Sequence, residues 1–180
     1  MDLVKKYKDK LPINDLKGLM SVKPLTTIRV NTLKTTREEL KERLTNKNVV
    51  LSDNELHEQS INIHDSPFSI GSTTEYLAGH YILQDTASMV AASALKPRPG
   101  ELVLDMTAAP GAKTTHLSEL MNNQGAIIAC DLDKKRLRSI QWNAERMSCE
   151  NIMGLNIPAQ EITELGLMFD RVLLDAPCSA

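Results

Sequence analysis

The sequence predicts an α/β chain in which a small α+β unit, residues 1–75, precedes a doubly wound parallel sheet, residues 76–180. Three observations carry that expectation. In the second unit short apolar runs bounded by Gly, Pro or acidic residues alternate with helical periods. Three of those runs, "ELVLD", "AIIACD" and "DRVLLD", end at an aspartate, where open parallel sheets place their ligand contacts. In the first unit the runs are β-branched and joined by polar turns.

The elements follow in order. "PLTTIRVNTLK" reads as a strand, and "TTREELKERLTNKN" as a helix whose N-cap is Thr36, with Glu39 three residues on completing a capping box. Leu40 and Leu44 share one face of that helix. "NVVLS" and "SINIHD" are expected as strands, and "SPFSIGSTTEYLAGHY" as a loop-rich passage to the second unit. There "DTASMVAASAL" is a helix broken by "KPRPG", and strand "ELVLDM", loop "TAAPGA" and helix "KTTHLSELMNN" come next. Strand "AIIACD", helix "DKKRLRSIQWNAERM" and strand "DRVLLD" close the pattern. In the last helix Leu137, Ile140, Ala144 and Met147 form a buried stripe, with Lys134, Lys135 and Arg138 largely outside it.

Composition limits the function classes. A hydrophobic fraction of 42% with two Phe, three Tyr and one Trp predicts an aliphatic core. The formal net charge of -2 gives no global basic field, so a nucleic acid must be met by a local patch. Lys5, Lys6, Lys8 and Lys10, with Arg29 and Lys34, are the candidates for it. The charged opening "MDLVKKYKDKLPIND" is unlike a signal peptide, and no apolar run approaches membrane-spanning length. Three cysteines without CxxC spacing and four scattered histidines suggest neither disulfides nor a metal. A soluble, cytoplasmic protein is the expectation.

The loops after the strands hold the candidate chemistry. In "DMTAAPGAKTTH" small residues and Gly111 let backbone approach a ligand, while the next helix offers N–H groups to a carboxylate. A phosphate-binding P-loop is excluded because Ala112 separates Gly111 from Lys113 and no leading Gly is present. The dinucleotide GxGxxG pattern is absent as well. Asp131, 20 residues after Gly111, is placed to receive ribose hydroxyls. A nucleoside ligand without a pyrophosphate follows, with S-adenosylmethionine as the leading choice.

The stretch from "EYLAGHYILQDTASMV" through "LDMTAAPGAKTTHLSELM" and "ACDLDKKRLRSIQWNAERM" to "FDRVLLDAPCSA" resembles the Sun-type, RsmB-like RNA cytosine-5 methyltransferases. "TTIRVNTLKTTREELKERL" is similar to their small RNA-contacting domain. The resemblance implies a Rossmann-like S-adenosylmethionine-dependent fold acting on rRNA or tRNA. It places Thr107, Ala108, Ala109, Pro110, Gly111, Ala112 and Lys113 along the methionine part of the cofactor and Asp131 at the ribose. Arg136 is implied as a structural partner, Asp175 stands between cofactor and base, and Cys178 assists product release.

In such chemistry a thiolate adds to carbon 6 of cytosine so that carbon 5 can accept a methyl group, and a second thiol assists the later elimination. The family's attacking cysteine lies in a later motif, and no Cys follows Cys178 in this sequence. The expectation is therefore the N-terminal part of a longer enzyme, inactive alone, whose sheet a C-terminal remainder or a partner completes. The alternative is a non-catalytic RNA-binding or scaffold protein. Thr107 stands where the family often has Cys, Ala112 where a second Gly is usual, Pro158 where an Asp near the adenine is common, and Ala180 where Gly usually follows Ser.

Overall fold

The computed structural model describes residues 25–176. Lys5, Lys6, Lys8, Lys10 and Cys178 lie outside them.

The first sheet is antiparallel and is built from β1 (Thr26–Val30), β2 (Val50–Asp53), β3 (Ser60–Asp65) and β4 (Tyr81–Leu83), in the order β2-β3-β1-β4. Helix α1 (Arg37–Thr45) begins as its sequence dictates. The Thr36 hydroxyl accepts from the Glu39 N–H at 3.2 Å, and the Glu39 carboxylate accepts from the Thr36 N–H at 3.1 Å. The helix buries Leu40 and Leu44 among Ile28, Val30, Ile61 and Tyr81. Each fully buried leucine contributes roughly 1.5–3 kcal/mol.

Tyr81 is the aromatic exception to the aliphatic core. Its hydroxyl donates to the Ile70 carbonyl at 2.6 Å and lies 2.6 Å from Thr73 Oγ1, and burial pushes its pKa up to about 12. The segment expected as a loop-rich passage supplies α2 (Thr74–Leu77) and, with its last residue Tyr81, opens β4. Three apolar residues show no period of their own, and their pairing with β1, Arg29 opposite Ile82, makes the strand. The first sheet therefore takes its edge strand from beyond residue 75.

The second sheet is parallel, with β5 (Leu102–Asp105), β6 (Ala126–Cys130), β7 (Ile152–Leu155) and β8 (Arg171–Leu173) in the order β7-β6-β5-β8. Helices α3 (Thr86–Leu95), α4 (Ala112–Leu120) and α5 (Lys134–Met147) connect or flank these strands. Ile140, Ala144 and Met147 of α5 are buried and Leu137 packs beside them, as the stripe predicts. Strand β7 was hidden in "NIMGLN", whose apolar residues are interrupted by Gly154. From β5 the order runs to β6 on one side and to β8 on the other, which opens a crevice at the carboxyl ends of the strands. In β8 Val172 is 47% exposed.

A buried polar seam joins the two sheets. Arg29 on β1 is fully buried and donates to Glu119 of α4 at 2.7 Å, to Thr115 Oγ1 at 2.9 Å, to the Ala112 carbonyl at 2.6 Å, and to Gln84. Lys34 donates to the carbonyls of Ala78 at 2.8 Å and Arg146 at 2.7 Å. Neither residue belongs to a free basic patch. The expected RNA-contacting role of Arg29 is corrected on this ground, because its charge is neutralised inside the protein and cannot meet a phosphate. Lys34 is likewise committed to backbone carbonyls across the seam.

Candidate functional site

The crevice holds a cavity of about 520 Å³, in the size range of small-molecule sites. Met106 to Pro110, Ala112 and Lys113 form one wall, Asp131, Leu132 and Arg136 a second, and Ile157, Gln160 and Leu174 to Ala176 the remainder. Nearly all the expected cofactor contacts are thus brought to one space.

The loop after β5 is shaped by its small residues. Ala108 and Ala109 are buried, and the Ala109–Pro110 peptide is cis. Gly111 has φ +102°, and a Cβ there would sit 3.1 Å from the Ile140 Cα on α5, so glycine is required by both conformation and clearance. It does not line the cavity; it closes the turn that does. Ala112 is the first residue of α4 and needs no positive φ, so an alanine there carries no left-handed strain.

Asp131 caps the site from the end of β6. One of its oxygens accepts from the Asp133 N–H at 2.9 Å and the other from the Ala109 N–H at 3.3 Å. Arg136 stands 3.6 Å from that second oxygen and donates to the Ala109 carbonyl at 3.0 Å. One carboxylate and one guanidinium therefore hold the N–H and the carbonyl of Ala109, one in each of the two peptide groups that flank it. On the opposite wall Lys113 pairs with Asp175 at 2.5 Å, and the Asp175 N–H donates to Thr107 Oγ1 at 3.2 Å.

Asp105 is an addition that lies beneath the loop. It is 2% exposed, accepts from Thr114 Oγ1 at 2.8 Å, and burial holds its carboxyl above the usual carboxylate range. Its sequence signal was the same strand-terminal aspartate that marked Asp131. Ile157 and Gln160 had no such signal; they reach the cavity from the chain after β7, and Pro158 stands between them in sequence.

Neither of the two described cysteines has an environment that favours a thiolate. Cys130 and Cys149 are both buried, and burial raises both thiols, Cys149 to about 11. Among the described residues no group of His, Cys, Asp and Glu could hold a metal ion, and no helix is long and apolar enough to cross a membrane.

The cavity fits a zwitterionic nucleoside. Its rim carries both signs, Lys113 and Arg136 against Asp131 and Asp175, over a floor of alanine and proline that leaves room for an apolar chain. No glycine-rich phosphate cradle is present in the loop.

A parallel sheet with this switch point and cavity, joined to an antiparallel sheet, defines a Rossmann-like methyltransferase fold preceded by a ferredoxin-like unit. Residues 92–180 match the family model for 16S rRNA methyltransferase RsmB/F, and residues 3–70 match that for the ferredoxin-like domain of RsmF/B-like proteins. The chain is 39% identical over 181 residues to the 28S rRNA (cytosine(4447)-C(5))-methyltransferase of Homo sapiens, with 98% of the chain and 22% of the human protein covered. It is 40% identical over 116 residues to the tRNA (cytosine(72)-C(5))-methyltransferase of Pyrococcus horikoshii, covering 63% of this chain and 30% of that one. A crystal structure of a methyltransferase homolog from Pyrococcus horikoshii superposes with a TM-score of 0.84 at 40% identity, over 93% of this chain and 54% of the other. The chain belongs to the Sun-type, RsmB-like family of RNA cytosine-5 methyltransferases. It spans 22% to 26% of the length of curated eukaryotic rRNA relatives.

Proposed function

We propose that this chain supplies the methyl-donor site and an RNA-contacting unit of an S-adenosylmethionine-dependent enzyme that methylates carbon 5 of cytosine in rRNA or tRNA. The observation that carries the reading is the convergence of Asp131, Arg136, Lys113 and Asp175 on one alanine-floored cavity at the switch point. Residues 76–180 carry the donor site. Residues 1–75, with the returning strand β4, form the RNA-contacting unit.

The donor contributes an electrophilic methyl group on a sulfonium centre. The chain's own residues position it. Asp131 presents a carboxylate to the ribose hydroxyls, and Arg136 holds that carboxylate and the Ala109 carbonyl in place. The loop Thr107 to Lys113 gives its small side chains and backbone to the methionine part. Asp175, oriented by Lys113 and Thr107, stands between donor and target base. Cys178 assists release of the methylated product. The attacking thiol is neither Cys130 nor Cys149, since both are buried and held protonated.

Ultraviolet cross-linking of methyl-labelled S-adenosylmethionine to the chain, followed by peptide mapping, tests the reading. Label on the peptides containing Thr107–Lys113 and Asp131 is the expected result. Absence of saturable label, with RNA binding intact, would mean a non-catalytic RNA-binding protein instead.

A further inference from the structure

The first two turns of α5 carry Lys134, Lys135, Arg136 and Arg138, and its first turn holds no acidic residue. That is the unfavourable end of a helix for cations, because the macrodipole places positive potential there, and the N-cap carboxylate of Asp133, which accepts from the Lys135 N–H at 2.7 Å, sets one negative charge against four positive ones. Among the described residues only Arg136 of these four meets a carboxylate, Asp131 at 3.6 Å. In a chain of net charge -2 the cluster is local. Its self-repulsion is relieved by a polyanion.

A second, independent observation lies on the same helix. Trp142, the one tryptophan of the sequence, is 48% exposed. It is held in place by Arg146, whose guanidinium lies 5.0 Å from the indole centroid and 4.1 Å from that of Tyr76. Arg146 is itself fixed by donation to the Tyr81 carbonyl at 3.0 Å. The ring is thus supported from the seam side and presents open aromatic surface.

Lys135, Ser139 and Trp142 follow one another at four- and three-residue steps and all three are exposed. Arg136, next to Lys135, lines the donor cavity. The indole therefore stands ~10 Å along the helix from the cavity mouth, at 1.5 Å per residue. Cations that track a backbone, beside an aromatic ring that stacks a base, are the elements of a single-strand nucleic acid surface.

The geometry points to this face of α5 as the binding surface for a single-stranded RNA segment flanking the target cytosine, with one base stacked on Trp142 and phosphates against Lys135 and Arg138. The inference rests on the RNA-methylating reading above and adds the place where the strand runs. It takes the place of the Arg29 and Lys34 part of the expected patch, whose other members, Lys5, Lys6, Lys8 and Lys10, lie outside the described residues.

The single tryptophan makes the test direct. An unstructured cytidine-rich RNA decamer is titrated into the full 180-residue chain while indole emission and anisotropy of a labelled RNA are both followed. The expected result is saturable quenching in step with binding. Trp142→Leu should weaken binding by about tenfold, as loss of one base–aromatic stack implies, with Trp142→Phe restoring most of it. Lys135→Gln with Arg138→Gln should flatten the salt dependence by about 1.4 units of slope at most, about 0.7 per lost phosphate contact. RNA binding without quenching and unchanged in Trp142→Leu would overturn the inference, as would no RNA binding. Affinity for S-adenosylmethionine, measured separately on the same samples, should be unaltered by Trp142→Leu. Its absence in the parent chain would sink the methyltransferase reading and leave the RNA result to stand or fall by itself.

Discussion

Replacing Arg29 by methionine tests the seam between the sheets. The guanidinium of Arg29 and the carboxylate of Glu119 are both fully buried and 2.7 Å apart, and the same guanidinium donates to Thr115, Ala112 and Gln84. Removing it leaves Glu119 in an apolar interior without its counter-ion. Burial already pushes that carboxyl up to about 6 with Arg29 present. Without Arg29 it rises further and takes up a proton at neutral pH, which limits the penalty to neutralisation and lost hydrogen bonds. Breaking one side of a buried pair costs about 3–5 kcal/mol, a large share of the roughly 5–15 kcal/mol of a typical domain. Urea unfolding at pH 7 should show that loss as a lower midpoint with an unchanged slope. The double variant Arg29→Met with Glu119→Leu should recover most of it, because no uncompensated charge remains. A loss below about 1 kcal/mol for Arg29→Met, the scale of an exposed pair, would refute the reasoning.

Four further outcomes follow from the structure. Gly111→Ala should destabilise the chain by roughly 1–3 kcal/mol and weaken donor binding, since alanine must adopt φ +102° and its Cβ meets Ile140; thermal unfolding and donor titration check both. His116 is fully buried, and burial pushes its pKa from 6.5 down to about 2, so the unfolded chain takes a proton below pH 6.5 that the folded one refuses. Its contribution is present above 6.5 and is lost as pH falls, by about 1.4 kcal/mol per unit. Glu119 acts oppositely: its folded pKa, about 6, exceeds the ordinary 4.5, so between those values the folded state binds the extra proton and is favoured as pH falls, by about 2 kcal/mol in all. Relative to wild type, His116→Leu should therefore gain stability steadily as pH falls below 6.5, and Glu119→Gln should lose it between pH 6 and 4.5. Finally, Cys130 and Cys149 should resist iodoacetamide in the folded chain and react once urea unfolds it, as read by peptide mass.

Much of the fold could be read from local pattern. The capping box at Thr36 and Glu39 and the stripe Ile140, Ala144, Met147 are signals that a single helix carries within itself. Strands β5, β6 and β8 announced themselves as apolar runs ending in aspartate. What escaped is structure made by distant partners. Strands β4 and β7 are short and acquire their identity from β1 and β6, and Arg29 looks like any surface arginine until Glu119, 90 residues later, is brought beside it. The same division holds in the site. Asp131 and the loop Thr107–Lys113 could be found from spacing after strands, whereas the pairing of Lys113 with Asp175 and the approach of Gln160 exist only once the sheet has formed. At Ala112, where the family usually has a second glycine, no left-handed backbone is required, because the left-handed residue is Gly111.

Calorimetric titration of S-adenosylmethionine into the folded chain, beside Asp131→Ala and Asp131→Asn, tests the central claim most directly. Single-site binding is predicted for the parent chain. Asp131→Ala should weaken it by about a hundredfold, the scale of two charge-assisted hydrogen bonds, with Asp131→Asn in between and far-ultraviolet dichroism unchanged in both. No saturable binding in the parent chain, or equal binding in parent and Asp131→Ala, would contradict the assignment of this cavity as the methyl-donor site.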